Sequence, residues 1–219
     1  MASESPYAVF LYYPNLIGYS RIAAVLASYY VAGTNWKLSV CFYVLAFAGD
    51  VVDGAVARRF NQSSSFGATL DMVTDRCSTA GMLFVLAGLY PAYAFHFMCL
   101  MFLDIFSHWI HVASVATKGH HKAAGTLQGR NWLIRLFYSC YPFFGYCCVF
   151  TEFFYICLYM LAFNKDAFIT VGGVEVHLWQ LTFYGCLPAC VCKQAVNIAQ
   201  LCAAAYSMAE VDVARKAKA

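Results

Sequence analysis

Four aspartates lie close together in a chain that otherwise avoids charge: Asp50, Asp53, Asp71 and Asp75. Asp50 and Asp53 are separated by one helical turn, and so are Asp71 and Asp75, so each pair shares one face if its segment is helical. Carboxylate oxygens are the ligands that Mg²⁺ and Mn²⁺ prefer, and these ions bind phosphate groups. The spacing therefore predicts a divalent metal site that acts on a phosphate-containing substrate.

The composition places this site in a membrane protein. The chain has 219 residues, of which 62% are hydrophobic and 11% are charged, whereas soluble domains carry about 25% charged residues. A carboxylate inside the bilayer costs about 2.5–3.5 kcal/mol on insertion scales, so four of them are improbable without a function. The composition predicts an all-α, polytopic membrane protein that forms one domain over residues 1–219.

Six apolar segments are long enough to be transmembrane helices, each of which needs about 20 residues. The predicted helices cover about 14–33, 37–58, 67–90, 92–117, 131–163 and 176–208. The fifth is longer than one bilayer crossing and contains Pro142, which predicts a kink. The sixth contains Pro188.

Basic residues favour one orientation of this topology. One side holds Arg58, Arg59, Lys118, Lys122, Arg130, Arg215, Lys216 and Lys218. The loops on the other side hold only Lys37 and Lys165. Because cytoplasmic loops carry an excess of Lys and Arg, the first side is predicted to be cytosolic. The four aspartates flank the connection between the second and third helices, so the site is expected to face the cytosol.

The aspartates belong to a longer pattern, D-x2-D-G-x2-A-R-x8-G-x3-D-x3-D. Its fixed positions are Asp50, Asp53, Gly54, Ala57, Arg58, Gly67, Asp71 and Asp75. This pattern resembles the signature of the CDP-alcohol phosphatidyltransferases. Three further segments resemble the phosphatidylinositol synthase branch of that family: one from Pro14 to Arg21, one from Leu70 to Thr79 and one from Asp104 to Trp109.

The resemblance implies the transfer of a phosphatidyl group from CDP-diacylglycerol to myo-inositol, with release of CMP. It implies two divalent ions, Mg²⁺ or Mn²⁺, held by the four aspartates, and a second role for Asp75, which takes the proton from the attacking hydroxyl. It places the nucleotide-lipid donor beside Asn15, Gly54, Ala57, Arg58 and Gly67. It also implies a homodimer in the endoplasmic reticulum or the Golgi.

Several other polar residues in apolar segments have more than one interpretation. Arg135 either binds the acceptor or lipid phosphate, or anchors the fifth helix at the cytosolic interface. Arg21 either pairs with an aspartate of the motif, extends to that interface, or borders the nucleotide pocket. Asp104, His108 and His111 share one face of the fourth helix. They form a third metal site, an acceptor pocket or, as we favour, an interior polar network.

Two alternative functions are also considered. The motif does not distinguish inositol from other acceptors, such as glycerol phosphate, serine or a choline-type alcohol. A divalent-cation transporter would also carry acidic residues within the membrane, but Arg58 and Arg59 beside the acids and their position at one membrane face disfavour it. Nucleic-acid binding is not indicated, because the sequence contains no aromatic and basic binding surface.

The orientation makes a prediction about glycosylation. Asn61-Gln62-Ser63 is the only N-x-S/T sequence in the chain, and it lies in a connection predicted to be cytosolic. We expect Asn61 to stay unmodified in eukaryotic cells, because glycosylation occurs on the lumenal side. The test is the gel mobility of the expressed protein before and after glycosidase treatment. A glycan on Asn61 would reverse the orientation and place the site in the lumen.

Overall fold

The computed structural model describes residues 5–118 and 131–217. The predicted cytosolic residues Lys122, Arg130 and Lys218 therefore lie outside the described residues. The chain is mainly helical and divides into two compact units, Met1–Val85 and Leu86–Ala219. The expectation of a single domain over residues 1–219 stays a prediction.

The first unit is built from four helices in the described part of the chain. A short helix, α1 (Pro6–Phe10), precedes α2 (Tyr13–Val31) and α3 (Trp36–Arg59). Helix α4 (Ser65–Leu89) begins in this unit, and its last residues belong to the second. The bounds of α2, α3 and α4 lie within about two residues of those predicted for the first three spans, as expected for strongly apolar segments.

A tight turn between α3 and α4 brings the two aspartate pairs together. Asn61 adopts a left-handed conformation, with φ 53°, and the Gln62 amide donates to the Ala57 carbonyl at 2.9 Å. This is the bond of a Schellman motif, in which Asn is the usual alternative to Gly. The Ser64 hydroxyl then accepts from the Gly67 amide at 3.0 Å, which caps the start of α4.

Small and polar contacts hold α2 against its neighbours. The Ser28 hydroxyl donates to the Ser39 carbonyl of α3 at 2.8 Å, and both serines are buried. The Tyr29 hydroxyl donates to the Ser78 carbonyl of α4. The Tyr29 ring also lies against Gly81, where a β-carbon would overlap it. Serine and glycine at these positions let the helix backbones approach closely.

The second unit contains a 3₁₀ turn (Pro91–Tyr93), α5 (Ala94–Lys118), α6 (Trp132–Ser139), α7 (Tyr141–Phe163) and α8 (Leu178–Lys216). Helices α7 and α8 pack through aromatic rings. The rings of Phe154 and Phe183 stack with their centroids 4.6 Å apart.

The predicted fifth span is two helices and not one kinked helix. The chain leaves helical geometry at Cys140, with φ −105° and ψ 89°, and α7 begins at the next residue. Pro142 is in the first turn of α7, where its missing N–H breaks no helical hydrogen bond. The sequence therefore predicted a change in the helix near Pro142 correctly. The predicted change was a kink within one helix, whereas the structure has two separate helices, with Pro142 at the start of the second.

A β-hairpin that we did not predict precedes α8. Strands β1 (Phe168–Val171) and β2 (Val174–His177) pair antiparallel, with Val171 opposite Val174. The two residues of the loop, Gly172 and Gly173, have φ angles of 60° and 84°. Positive φ at both positions is the requirement of a type I′ hairpin turn, which glycine meets without strain.

Helix α8 runs well beyond the predicted sixth span. It contains 39 residues, with Pro188 inside it. At about 1.5 Å per residue it is roughly 58 Å long, nearly twice the hydrocarbon core of a bilayer. Its last turn carries Arg215 and Lys216, which are exposed.

Four helices of the described residues are long and apolar enough to cross a membrane. They are Trp36–Arg59, Pro91–Thr117, Tyr141–Phe163 and Leu178–Lys216. These helices support an integral membrane protein, but they do not confirm six spans. Helices α2 and α4 are missing from this group, because they carry polar and charged residues such as Arg21 and Asp71.

Candidate active site

The side chain of Arg21 binds all four aspartates of the motif. Its Nη1 atom lies 2.7 Å from Asp53 and 2.6 Å from Asp71. Its Nη2 atom lies 2.9 Å from Asp50 and 2.5 Å from Asp75. Arg21 comes from α2, whereas the aspartates come from α3 and α4. The ion-pair interpretation of Arg21 is therefore confirmed, and it involves four aspartates where a single pair was envisaged.

The backbone of α3 fixes the position of the Arg21 side chain, which is only 4% exposed. The Arg21 Nε–H donates to the Ala46 carbonyl at 3.2 Å. Gly49 lies beside the aliphatic part of the side chain, and a β-carbon there would be 2.8 Å from Arg21 Cγ. Arg21 occupies this position because residue 49 has no side chain.

Carboxylates outnumber cations in this cluster. Arg21 is shared by four acidic groups, and among the described residues the other ion pair recorded to them is that of Arg76, whose Nη2 atom is 4.0 Å from Asp75 Oδ2. Carboxylates this close repel unless protons or further cations neutralise them. Asp50, Asp53 and Asp71 each have an oxygen within 4.8 Å of the others. This all-oxygen set suits Mg²⁺ or Mn²⁺.

Asp75 differs from the other three aspartates. Its Oδ1 atom binds Arg21, but in the described part of the chain it is not a member of the close set formed by Asp50, Asp53 and Asp71. The sequence alone does not separate Asp75 from Asp71. Both residues contact Arg21, and Asp71 also belongs to the compact group of oxygens.

A cleft of about 180 Å³ adjoins the aspartates in the first unit. Its walls come from α2, the end of α3, the following turn and the start of α4. The lining residues are Pro14, Asn15, Gly18, Asp53, Gly54, Ala57, Arg58, Gln62, Ser63, Ser64, Gly67, Ala68, Leu70 and Asp71. This set includes every residue predicted to bind the nucleotide-lipid donor.

Two of those residues, Asn15 and Gly67, also have a packing role. Asn15 is 1% exposed, and its side-chain amide donates to the Val9 carbonyl at 2.5 Å. A β-carbon on Gly67 would lie 2.7 Å from Asn15 Oδ1. Gly67 therefore makes room for Asn15 within the protein, which is the packing role weighed for small residues of the motif.

Other lining residues were not identified from the sequence. The Gln62 side chain accepts from the Tyr13 amide at 2.9 Å, which ties the turn after α3 to the start of α2. Ser64 caps α4. Gly18 lies against Leu70, and a β-carbon on Gly18 would be 2.9 Å from Leu70 Cδ2. The signal for Ser64 was present, because serine before a helix is a typical N-cap. No sequence pattern identifies Gln62.

Arg135, the candidate acceptor residue, is exposed on α6 in the second unit. Asn131 caps this helix by accepting from the Leu133 amide at 2.9 Å. The role of Arg135 in acceptor binding stays a prediction.

Asp104 and His108 belong to a buried polar network within the second unit. The His108 Nδ1 atom is 2.8 Å from the Asp104 carbonyl oxygen. Asn197 of α8 lies 3.5 Å from the Asp104 carboxylate and 3.3 Å from Gln194. Within residues 86–118 and 131–217, no three acidic, His or Cys side chains meet as a metal site would require. These contacts agree with an interior network for Asp104 and His108. In the described residues His111 is not satisfied in this way, because its Nδ1 atom is buried without a hydrogen-bond partner.

Comparison with known proteins identifies the family of the chain. Residues 11–209 match the family model described as CDP-alcohol phosphatidyltransferase. A protein of Schizosaccharomyces pombe named CDP-diacylglycerol–inositol 3-phosphatidyltransferase is 34% identical, and the match covers 95% of this chain and 93% of that protein.

Proteins of the same name from Drosophila melanogaster and Homo sapiens are 38% and 36% identical. These matches cover 94% and 96% of this chain, and 88% and 97% of the respective relatives. No solved structure is significantly similar to the chain. The chain therefore belongs to the CDP-alcohol phosphatidyltransferase family, whose members generally depend on divalent metal ions.

Proposed function

We propose that this protein transfers the phosphatidyl group of CDP-diacylglycerol to myo-inositol and releases CMP. The observation that carries the proposal is the convergence of the four motif aspartates on one buried guanidinium beside a cleft. Inositol is favoured over other alcohols because the relatives described above are named as inositol phosphatidyltransferases. Their similarity to this chain extends over nearly their whole length.

Asp50, Asp53, Asp71 and Asp75 would hold two divalent ions, Mg²⁺ or Mn²⁺. The close oxygen atoms of Asp50, Asp53 and Asp71 support this assignment. Bound ions would neutralise the charge that develops on the phosphoryl oxygens and on the departing CMP. The cleft between α2, α3 and α4 would orient the donor, with Gly54 and Ala57 allowing it close to the helix and Arg58 pairing with phosphate.

Asp75 would act as the base. An inositol hydroxyl attacks the lipid-side phosphorus, a new phosphorus–oxygen bond forms, and the bond to the CMP oxygen breaks. The hydroxyl proton passes to a carboxylate oxygen of Asp75. Arg21 holds the Oδ1 atom of Asp75 at 2.5 Å, which fixes the orientation of the carboxylate.

In the membrane, we propose six spanning helices, with α2 and α4 added to the four most apolar ones. Charges in α2 and α4 are tolerable because Arg21 pairs with Asp71 and Asp75 inside the protein. The basic residues of the sequence support a cytosolic site. We also propose a homodimer in the endoplasmic reticulum or Golgi, with one site in each protomer, from the family resemblance.

The acceptor is tested by supplying different alcohols to the purified protein with CDP-diacylglycerol and Mn²⁺. We expect phosphatidylinositol as the main lipid product, together with one CMP for each lipid formed. Glycerol phosphate, serine and choline should give little product. A preference for one of these would keep the enzyme class but replace the acceptor. Metal uptake by vesicles without CMP release would instead support the transporter.

The metal assignment is tested by replacing single aspartates with asparagine. We expect Asp50→Asn, Asp53→Asn, Asp71→Asn and Asp75→Asn each to lower turnover by more than about 100-fold, because each removes a charged ligand or the base. Asp212→Asn, at an exposed position near the end of α8, is the matched control and should retain normal turnover. Near-normal activity of Asp71→Asn at low metal concentration would contradict the two-metal proposal.

The two substrate sites are separated by steady-state kinetics. Arg58→Ala should raise KM for CDP-diacylglycerol, whereas Arg135→Ala should raise KM for inositol. Each change removes a charge-assisted hydrogen bond worth about 1.5–3 kcal/mol, or roughly 10- to 100-fold. Arg59→Ala, at the exposed end of α3, is the control for lost surface charge. If Arg135→Ala weakened donor use alone, Arg135 would belong with the lipid phosphate.

A further inference from the structure

We propose that Arg21 is a positioning residue that stays in place when metal binds and aims the four carboxylates at the ions. This inference rests on the metal site of the proposed function. The competing possibility is that Arg21 substitutes for the metal and must leave when an ion arrives. Hydrogen bonding, packing and charge at Arg21 distinguish the two.

The guanidinium of Arg21 uses most of its donors. Arginine offers five N–H groups in a fixed planar arrangement, and four of them have a recorded acceptor. Nε–H donates to the Ala46 carbonyl, Nη1 donates to Asp53 and Asp71, and Nη2 donates to Asp75. Asp50 Oδ1 forms an ion pair with Nη2 at 2.9 Å. A buried guanidinium with these partners leaves only at the cost of several charge-assisted hydrogen bonds.

Arg21 binds just one oxygen of each carboxylate. The bound atoms are Asp50 Oδ1, Asp53 Oδ2, Asp71 Oδ1 and Asp75 Oδ1. The second oxygen of each aspartate is not used by Arg21. Outer partners of this kind fix the rotamers of metal ligands and typically change metal affinity by about 10- to 100-fold when removed.

The chain also provides a place for the arginine side chain. Gly49, directly before Asp50, leaves the space through which Arg21 passes, with the nearest arginine carbons at 2.8 and 3.1 Å from an added β-carbon. Gly49 is outside the fixed positions of the family motif. Gly49 leaves space for the aliphatic part of the Arg21 side chain, and the Ala46 carbonyl accepts a hydrogen bond from its Nε–H. Both features of α3 therefore fix the position of Arg21.

Charge and positioning predict opposite effects of removing Arg21. A cation 2.5–2.9 Å from the ligands repels a divalent ion. If charge alone mattered, or if Arg21 occupied the metal position, then Arg21→Gln would bind metal more tightly. If Arg21 aims the ligands, then Arg21→Gln binds metal more weakly, even though a repelling charge has been removed.

The experiment measures Mn²⁺ binding to the purified full-length protein in detergent, without either substrate. Electron paramagnetic resonance reports free Mn²⁺ and the symmetry of the bound ion. We expect Arg21→Gln and Arg21→Lys to raise the Kd for Mn²⁺ by about 10- to 100-fold and to broaden the spectrum of the bound ion. Arg59→Gln loses the same charge at an exposed position and should bind normally. Unchanged or tighter Mn²⁺ binding by Arg21→Gln would overturn the proposal.

A second variant keeps Arg21 itself intact. Gly49→Ala should displace the arginine side chain and weaken Mn²⁺ binding several-fold, whereas Gly88→Ala, where a β-carbon meets nothing within 4 Å, should not. This pair decides the question even if Arg21→Gln fails to fold. Normal Mn²⁺ binding by a folded Gly49→Ala protein would contradict the proposal.

The outcome is separable from that of the proposed function, because binding is measured without phosphatidyl transfer. If the unaltered protein bound Mn²⁺ but released no CMP, the enzyme assignment would fail while the role of Arg21 stood. If the unaltered protein were active and Arg21→Gln bound Mn²⁺ normally, the role of Arg21 alone would fail.

Discussion

The first unit depends on one ionic cluster around a buried arginine. Arg21 extends from α2 to carboxylates on α3 and α4, and its Nε–H also binds the backbone of α3. Among its four partners only Asp53 is also buried, whereas the side chains of Asp50, Asp71 and Asp75 are between 32% and 44% exposed. Breaking a buried pair such as Arg21–Asp53 by removing one partner typically costs about 3–5 kcal/mol, because an uncompensated charge remains. The arginine that contacts the site aspartates therefore also joins the three helices that form the site.

The requirements of this cluster explain the composition of its helices. Helices α2 and α4, which carry the arginine and two of the aspartates, are not among the four helices of the described residues that are long and apolar enough to cross a membrane. Their charges pair with one another within the first unit, Arg21 with Asp71 and Asp75. Glycine at positions 18, 49 and 67 then permits the close approach that such short contacts need.

The metal-binding residue types of the site can be predicted from the sequence, whereas the packing contacts that hold them in place cannot. Each pair of motif aspartates shares a helix face as its spacing predicts, since helical periodicity determines which side chains share a face. The residues that the resemblance placed beside the nucleotide-lipid donor line one cleft with Asp53 and Asp71. Arg21 was weighed as a partner of one aspartate, as a residue extending to the cytosolic interface or as part of the nucleotide pocket, and not as a partner of all four aspartates. Its fourfold contact depends on how three separate helices pack, and no local pattern in the sequence encodes that packing.

The helices of the fold were likewise predicted from local sequence patterns, whereas two interruptions of the helical structure were not. Long apolar segments gave the helices α2 to α5 to within a few residues. The break at Cys140 and the hairpin around Gly172 and Gly173 were missed. A signal for the hairpin existed, because two glycines between β-branched residues are typical of a two-residue turn. The only sequence signal for the break at Cys140 was Pro142. A proline at such a position is compatible with a kink in one helix and with the start of a new helix.

In the arrangement proposed here, Arg21 and the metal ions occupy the site together. The most direct measurement is an experimental structure with Mn²⁺ bound, in which anomalous scattering locates the ions. We expect manganese beside Asp50, Asp53 and Asp71, with the Arg21 guanidinium still within hydrogen-bond distance of the four carboxylates. Manganese in the present position of the guanidinium, with Arg21 turned away from the aspartates, would contradict the account.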